Sequence, residues 1–262
     1  VASINIKNEG VIKRLRGKKG TTVEIKILRR ENINLLDFAI VRDDIPLYSV
    51  DASIMLSTAI GYIKVNRFSA TTFDEFTKGV NKLLSSGMEK LILDLRGNPG
   101  GYLTMAISMC DAMLDNENLI VYTQGRNRAR ENVYATKNGI LQNTEIIVLI
   151  DEGSASASEI VSGALQDNDR GLIIGRRSFG KGLVQQTRRL SYNAQLKVTV
   201  AKYYIPSGRC IQKIDYAHRD KDGDAPIVAD SLIVPYKTLV NKRTVYDGKE
   251  EAQSISDEIE SY

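Results

Sequence analysis

Three serines at alternate positions, Ser154, Ser156 and Ser158, follow directly on the apolar run 145–150 (EIIVLI) in the stretch 151–159 (DEGSASASE). A serine hydroxyl attacks a carbonyl only when a neighbouring base takes its proton and hydrogen-bond donors meet the oxyanion that forms. Ser156-x-x-Glu159 also fits the capping-box pattern that starts a helix. A helix start leaves backbone N–H groups unpaired and favours negative charge through its dipole. Capping alone would account for Ser156, so the chemical reading depends on finding a base.

Histidine is nearly absent. His218, in a polar stretch (215–222, DYAHRDKD), is the only one, so zinc sites built on several histidines are excluded and a histidine base would have to come from that loop. Lys181, in Ser178-Phe-Gly-Lys-Gly182, is the other candidate. A lysine works as a base near neutral pH only if its pKa falls by about 3 units, roughly 4 kcal/mol, which burial among apolar groups can supply. Lys181 is therefore expected to be buried, with its flanking glycines allowing a tight turn. The same lysine could be an ordinary turn residue. Gly175 to Lys181 also matches G-x-x-x-x-G-K, a phosphate-binding loop. However, Gly182 stands where a magnesium-binding Ser or Thr belongs, and the residues that follow read as strand. The glycine loop 97–101 (GNPGG) either permits a tight turn or aims a backbone N–H at an oxyanion.

These residues need elements to hold them. The run 90–95 (KLILDL) reads as a strand buried on both faces, with the glycine loop at its carboxyl end and a helix to about Leu114 beyond. The plan repeats with the strand 145–150, the serine turn and a helix from about Ser156 to Gln166. Strand-like 61–66 precedes a helix over 72–85, where Phe73, Phe76, Val80, Leu83 and Leu84 recur at helical spacing. Short strands follow at 171–174 and within 183–212. Such alternation predicts an α/β fold, with both turns at the carboxyl ends of strands, where α/β sheets build sites. Before this, 11–30 reads as a short helix, a turn and a strand over 22–28, and 35–41 as another strand. Asp43, Asp44 and Pro46 mark a boundary. The sequence past Ile214 is polar and irregular, ending in a surface helix or tail from Gly248.

Composition limits the alternatives. The chain has 262 residues, 42% hydrophobic and 26% charged, with a net charge of +4; this suits an ordinary folded protein. The basic residues come as scattered pairs such as Arg176–Arg177 and Arg188–Arg189, which reads as solvated surface and not as a nucleic-acid track. Cys110 and Cys210 lack metal-ligand spacing and read as buried thiols, with a single disulfide left open. No run reaches the roughly 18 apolar residues of a membrane helix.

Four segments in order, LILDLRGNPGG (91–101), DEGSASASEIVSGALQD (151–167), IIGRRSFGKGLVQ (173–185) and AKYYIPSGRCIQ (201–212), resemble the carboxyl-terminal processing peptidases, or tail-specific proteases. The variant here looks most like members from Bacteroidetes-type bacteria. The resemblance implies Ser156 as nucleophile and Lys181 as general base, 25 residues later. It implies Gln185 as the residue that orients the lysine, and an oxyanion hole from the N–H of Ala157 and of Gly100 or Gly101. It implies a crotonase-like α/β peptidase core with a mainly parallel sheet over 45–214 and a C-terminal extension over 215–262. A partial PDZ domain is implied over 1–44, where LRGKKGTTVEI (15–25) looks like a last helix and strand.

The implied activity is serine endoproteolysis near the carboxyl termini of proteins, with no metal and no cofactor. The partners are protein or peptide substrates with accessible carboxyl termini, with no nucleic acid and no integral membrane segment. The expected location is the periplasm or another exported compartment, with the signal sequence absent from this fragment. A catalytically silent module that only holds protein tails is the alternative.

Overall fold

The computed structural model describes residues 6–30, 34–44, 47–137, 139–214, 216 and 234–246. The chain divides into two units, Val1–Leu47 and Tyr48–Tyr262.

The first unit holds helix α1 (Asn8–Leu15) and strands β1 (Thr22–Ile27) and β2 (Leu36–Val41). The strands pair antiparallel, Thr22 opposite Val41. Arg42 links helix to ladder, its Nε donating to the Leu15 carbonyl at 2.7 Å. None of the described residues of this unit is buried, and Phe38, Ile40 and Val41 of β2 are exposed.

Among the described residues the second unit contains two larger sheets and three α-helices. Its five-stranded sheet runs in the order β3 (Val50–Met55), β4 (Ile60–Val65), β5 (Lys90–Asp94), β8 (Glu145–Ile150), β9 (Leu172–Gly175). The β4–β5, β5–β8 and β8–β9 pairs are parallel and β3 joins antiparallel. Helices α2 (Thr72–Ser85), α3 (Leu103–Asp111) and α4 (Ala157–Asp167) follow β4, β5 and β8. Alternate strand residues, among them Ile63, Val65, Leu91, Leu93, Val148 and Ile150, are buried together with Phe76 and Val80 of α2, Met109 of α3 and Val161 and Leu165 of α4.

The second sheet is antiparallel throughout, in the order β10 (Leu183–Arg189), β11 (Gln195–Tyr204), β6 (Leu119–Gly125), β7 (Arg128–Tyr134). Parallel pairing is thus confined to one of two sheets, a more mixed arrangement than the mainly parallel sheet expected. Ile120 and Val121 of β6 join the same apolar core, and α4 packs on both β6 and β9. Every residue of α4 is buried, as a helix held between two sheets must be.

The extension past Ile214 is less irregular than its composition suggests. Strands β12 (Pro235–Lys237) and β13 (Thr244–Tyr246) form a short hairpin. Buried Val245 and an ion pair from Arg243 Nε to Asp169 Oδ1 (2.8 Å) fasten it beyond the end of α4. The tail from Gly248 lies outside the described residues. Neither cysteine forms a disulfide; Cys110 is fully buried and Cys210 partly.

Candidate active site

The β8–α4 turn distinguishes its three serines. Ser154 and Ser158 are both 0% exposed. Ser154 Oγ donates to the Leu95 carbonyl at 2.8 Å and accepts from the Asp151 N–H at 3.0 Å. Ser158 Oγ donates to the Asn98 carbonyl at 3.0 Å. Ser156 between them is only half-buried and has φ 56°, ψ −108°. A positive φ is strained for a residue with a Cβ, and such strain collects at functional sites. It presents the middle serine outward while its neighbours are anchored inside.

The glycine loop after β5 is tied to this turn. Asp151 Oδ1 accepts from the N–H of Gly97 (2.7 Å) and of Gly153 (2.9 Å), and Ala155 N–H donates to the Asn98 carbonyl (2.9 Å). Gly100, at φ 90°, lies against the serine turn. A Cβ there would stand 2.5 Å from the Ala155 carbonyl oxygen, 2.9 Å from the Ala157 nitrogen and 2.9 Å from the Ser156 Cβ, so only glycine fits. The two candidate glycine donors differ in use. Gly100 N–H donates to Asn98 Oδ1 at 2.9 Å, whereas among the described residues neither Gly101 N–H nor Ala157 N–H meets an acceptor.

Upstream, buried Asp94 fixes where the loop begins. Its carboxylate accepts from Tyr62 OH (2.7 Å), Lys64 Nζ (3.1 Å), Arg96 Nη2 (2.7 Å) and the Arg96 backbone N–H (2.9 Å). Burial pushes its pKa up, but Arg96, Tyr62 and Lys64 outweigh this and hold it well below the usual carboxylate range.

Glu159 joins the serine turn to the lysine loop. Fully buried, it caps its own helix by accepting the Ser156 N–H on Oε2 at 2.6 Å. The same Oε2 accepts the Lys181 N–H at 2.9 Å. Its Oε1 accepts from Ser178 Oγ at 2.8 Å and from the Gly180 N–H. Desolvation pushes its pKa above the ordinary value, opposed by these donors. One carboxylate oxygen therefore brings the backbones of Ser156 and Lys181 within two hydrogen bonds of each other, inside the reach of a lysine side chain.

The Lys181 side chain is exposed, which corrects the expectation of burial. The turn draws only its backbone inward, and its amine forms no ion pair or hydrogen bond among the described residues. Gln185 is also exposed, on β10 at the register shift between Val184 and Gln185. His218 lies outside the described residues. The capping box made Glu159 visible in the sequence. Its bonds to a loop some twenty residues away left no local pattern to read, and neither did the ties made by Asp151 and Asn98.

The profile described as Peptidase family S41 matches residues 59–218. The carboxyl-terminal-processing protease of Picosynechococcus sp. is 39% identical over 212 residues, covering 80% of this chain and 51% of the relative. The carboxy-terminal-processing protease of Bartonella bacilliformis is 43% identical over 212 residues, covering 79% and 48%. The chain thus spans about half the length of these relatives. Among solved structures, the photosystem II D1 C-terminal processing protease superposes with a TM-score of 0.58 at 29% identity, covering 78% of this chain and 56% of that one. A putative S41 protease from Bacteroides fragilis (TM-score 0.56, 16% identity, covering 72% and 55%) shares the fold. On the match over residues 59–218 and these relatives, the chain belongs to peptidase family S41.

Proposed function

We propose that this chain is a serine endopeptidase with a Ser156–Lys181 dyad, acting near the carboxyl termini of protein substrates. The observation that carries this is the single Glu159 oxygen shared by the Ser156 and Lys181 N–H groups, with Ser156 the one outward serine of three. Lys181 in its neutral form takes the Ser156 proton as Oγ attacks the substrate carbonyl carbon. The oxyanion accepts hydrogen bonds from the N–H groups of Ala157 and Gly101. Gly101 is favoured over Gly100, whose N–H would first have to leave Asn98. The lysinium then protonates the leaving amine, and water, deprotonated by the same lysine, hydrolyses the acyl-enzyme. Gln185 orients the amine, re-aimed by the register shift at its position.

A substrate lying over the exposed Lys181 excludes water from around its amine. Lys181→Arg should be nearly as damaging as Lys181→Ala, since guanidinium keeps its proton. Single-turnover acylation across pH tests this. An arginine variant with the wild-type rate and profile would reduce Lys181 to a turn residue.

The core is read as crotonase-like. The first unit, with exposed apolar groups and no buried residue among those described, is read as the C-terminal portion of a PDZ domain that captures substrate tails. The protein is read as exported to the periplasm or an equivalent compartment. No described helix is long and apolar enough to cross a membrane.

A further inference from the structure

Of the four segments that carry the family resemblance, 201–212 has no part in the site described so far. Strand β11 ends at Tyr204, and the chain then turns back, the Gly208 N–H donating to the Ile205 carbonyl at 2.9 Å. The returning stretch is anchored in the interior. Buried Arg209 pairs with Asp167 at the end of α4 (2.8 Å), and Ile211 lies in the apolar core. The next two residues, Gln212 and Lys213, meet the lysine loop.

Lys181 is an exposed residue between two buried glycines, and both glycines press on this stretch. A Cβ on Gly180 would collide with the Lys213 Cβ, and one on Gly182 would stand 2.7 Å from the Gln212 nitrogen. The direction in which the Lys181 side chain leaves the loop depends on its φ and ψ, and so on the two peptide planes that flank it. The preceding plane is held twice: the Lys181 N–H donates to Glu159 Oε2 at 2.9 Å, and the Gly180 carbonyl accepts from the Lys213 N–H at 3.0 Å. The following plane is held by Gln212, whose Oε1 accepts the Gly182 N–H at 2.9 Å. Among the described residues nothing else bonds to that plane. The Gln212 amide is itself buried and fixed, its Nε2 donating to the Ile214 carbonyl at 3.0 Å. Beyond Gly182 the chain enters the largely exposed β10. Gln212 therefore carries the rigidity of the core to the peptide just after the lysine.

Resting on the peptidase reading above, we propose that Gln212 is a positioning residue for the reaction. By holding the Gly182 N–H it completes the pair of fixed peptide planes around Lys181 and sets the direction from which the amine approaches Ser156. Glu159 fixes one side of the lysine and Gln212 the other.

The test compares Gln212→Met, which keeps the length of the side chain and removes both hydrogen bonds, with Gln212→Glu and wild type. Each is assayed on a fluorescein-labelled unfolded protein and by its rate of labelling with a fluorophosphonate. Gln212→Met should lose about thirtyfold in kcat, the effect of one buried N–H left unpaired, and a similar factor in labelling, with KM changed by less than about twofold. Lower stability alone would accompany the loss of any buried amide, whereas the split between kcat and KM would not. Hydrogen exchange should quicken in the peptide over 178–186 and stay unchanged in α4. In Gln212→Glu the acceptor for Gly182 is kept, and while protonated the acid also donates to Ile214. Its kcat relative to wild type should therefore be near one at about pH 5 and fall toward about pH 8 as that proton is lost. Wild-type kcat in Gln212→Met overturns the proposal, as does a loss shared equally by KM or exchange that quickens equally in α4. Should Gln212→Met not fold, Gln212→Glu decides, and a flat ratio across pH overturns the proposal. A wild type that neither cuts the substrate nor takes the label at Ser156 would instead refute the peptidase reading, and the proposal with it.

Discussion

Ser156 and Glu159 are three positions apart and bear on the chemistry differently. Ser156→Ala should abolish cleavage of an unfolded protein, by about ten-thousandfold or more, and labelling by a fluorophosphonate, with an unchanged circular dichroism spectrum. Ser154→Ala and Ser158→Ala should instead cost about 1–2 kcal/mol each in stability, because each strips a buried hydroxyl from its carbonyl partner, while most activity remains. Activity lost at Ser154 and kept at Ser156 would show that another serine reacts. For Glu159 the two oxygens separate the outcomes. Glu159→Gln can turn its amide NH2 toward Ser178 and keep the Ser156 and Lys181 bonds, leaving only the Gly180 N–H unpaired, whereas Glu159→Ala releases both the Ser156 and the Lys181 segments. The alanine variant should lose at least about a hundredfold in kcat, about 2.7 kcal/mol, and the glutamine variant much less. The raised pKa of Glu159 also sets a sign. Its folded form holds a proton at pH values where the unfolded chain, near 4.3, has released it, so stability falls as pH rises through that window. Relative to Glu159→Gln, the wild type should gain stability as the medium is acidified, as denaturant melts at several pH values would show.

Among the elements, β5 and its loop give the opposite sign. Asp94 is buried and its pKa is depressed, so its stabilisation is complete above the unfolded value near 3.9 and is lost as pH falls below it. Asp94→Asn should cost about 3 kcal/mol at neutral pH, with the gap to wild type closing in acid. A constant gap across that range would mean that the carboxylate charge contributes little. The elements that hold the site were largely legible in the sequence because their faces obey one period. Phe73, Phe76, Val80 and Leu83 mark α2 at its observed bounds, and 145–150 marks β8 by continuous apolar character. Strand β7 was not legible, since RARENVY is exposed along almost its whole length and shows no alternation. β3 lay hidden because VDASIM is half-buried with no clean period, and β12 and β13 because three residues carry none. At the site, residue types and local turns were readable. The exposure of Lys181 and the occupied N–H of Gly100 were not, because both depend on what distant segments place beside them.

Across the second unit, α4 is buried along its whole length between the two sheets, and its far end is gripped by Arg209 on Asp167. Ser156, the proposed nucleophile, stands at the head of this helix, while the proposed base is an exposed side chain on a loop that is tied to Glu159 through its backbone and leads into a largely exposed hairpin. Amide hydrogen exchange should expose that contrast. The N–H groups of Val161 to Leu165 should exchange only with global unfolding, and those of the outer half of β10–β11 through local opening at far lower cost. Uniform protection across both would remove the contrast. If it holds, catalytic competence is an equilibrium property of the loop: Ser156 is in place whenever the protein is folded, and turnover samples only the fraction of time in which Lys181 is held to it. Heating should then silence the enzyme several degrees before the fold melts, and a ligand that quiets the hairpin should raise kcat without touching the nucleophile.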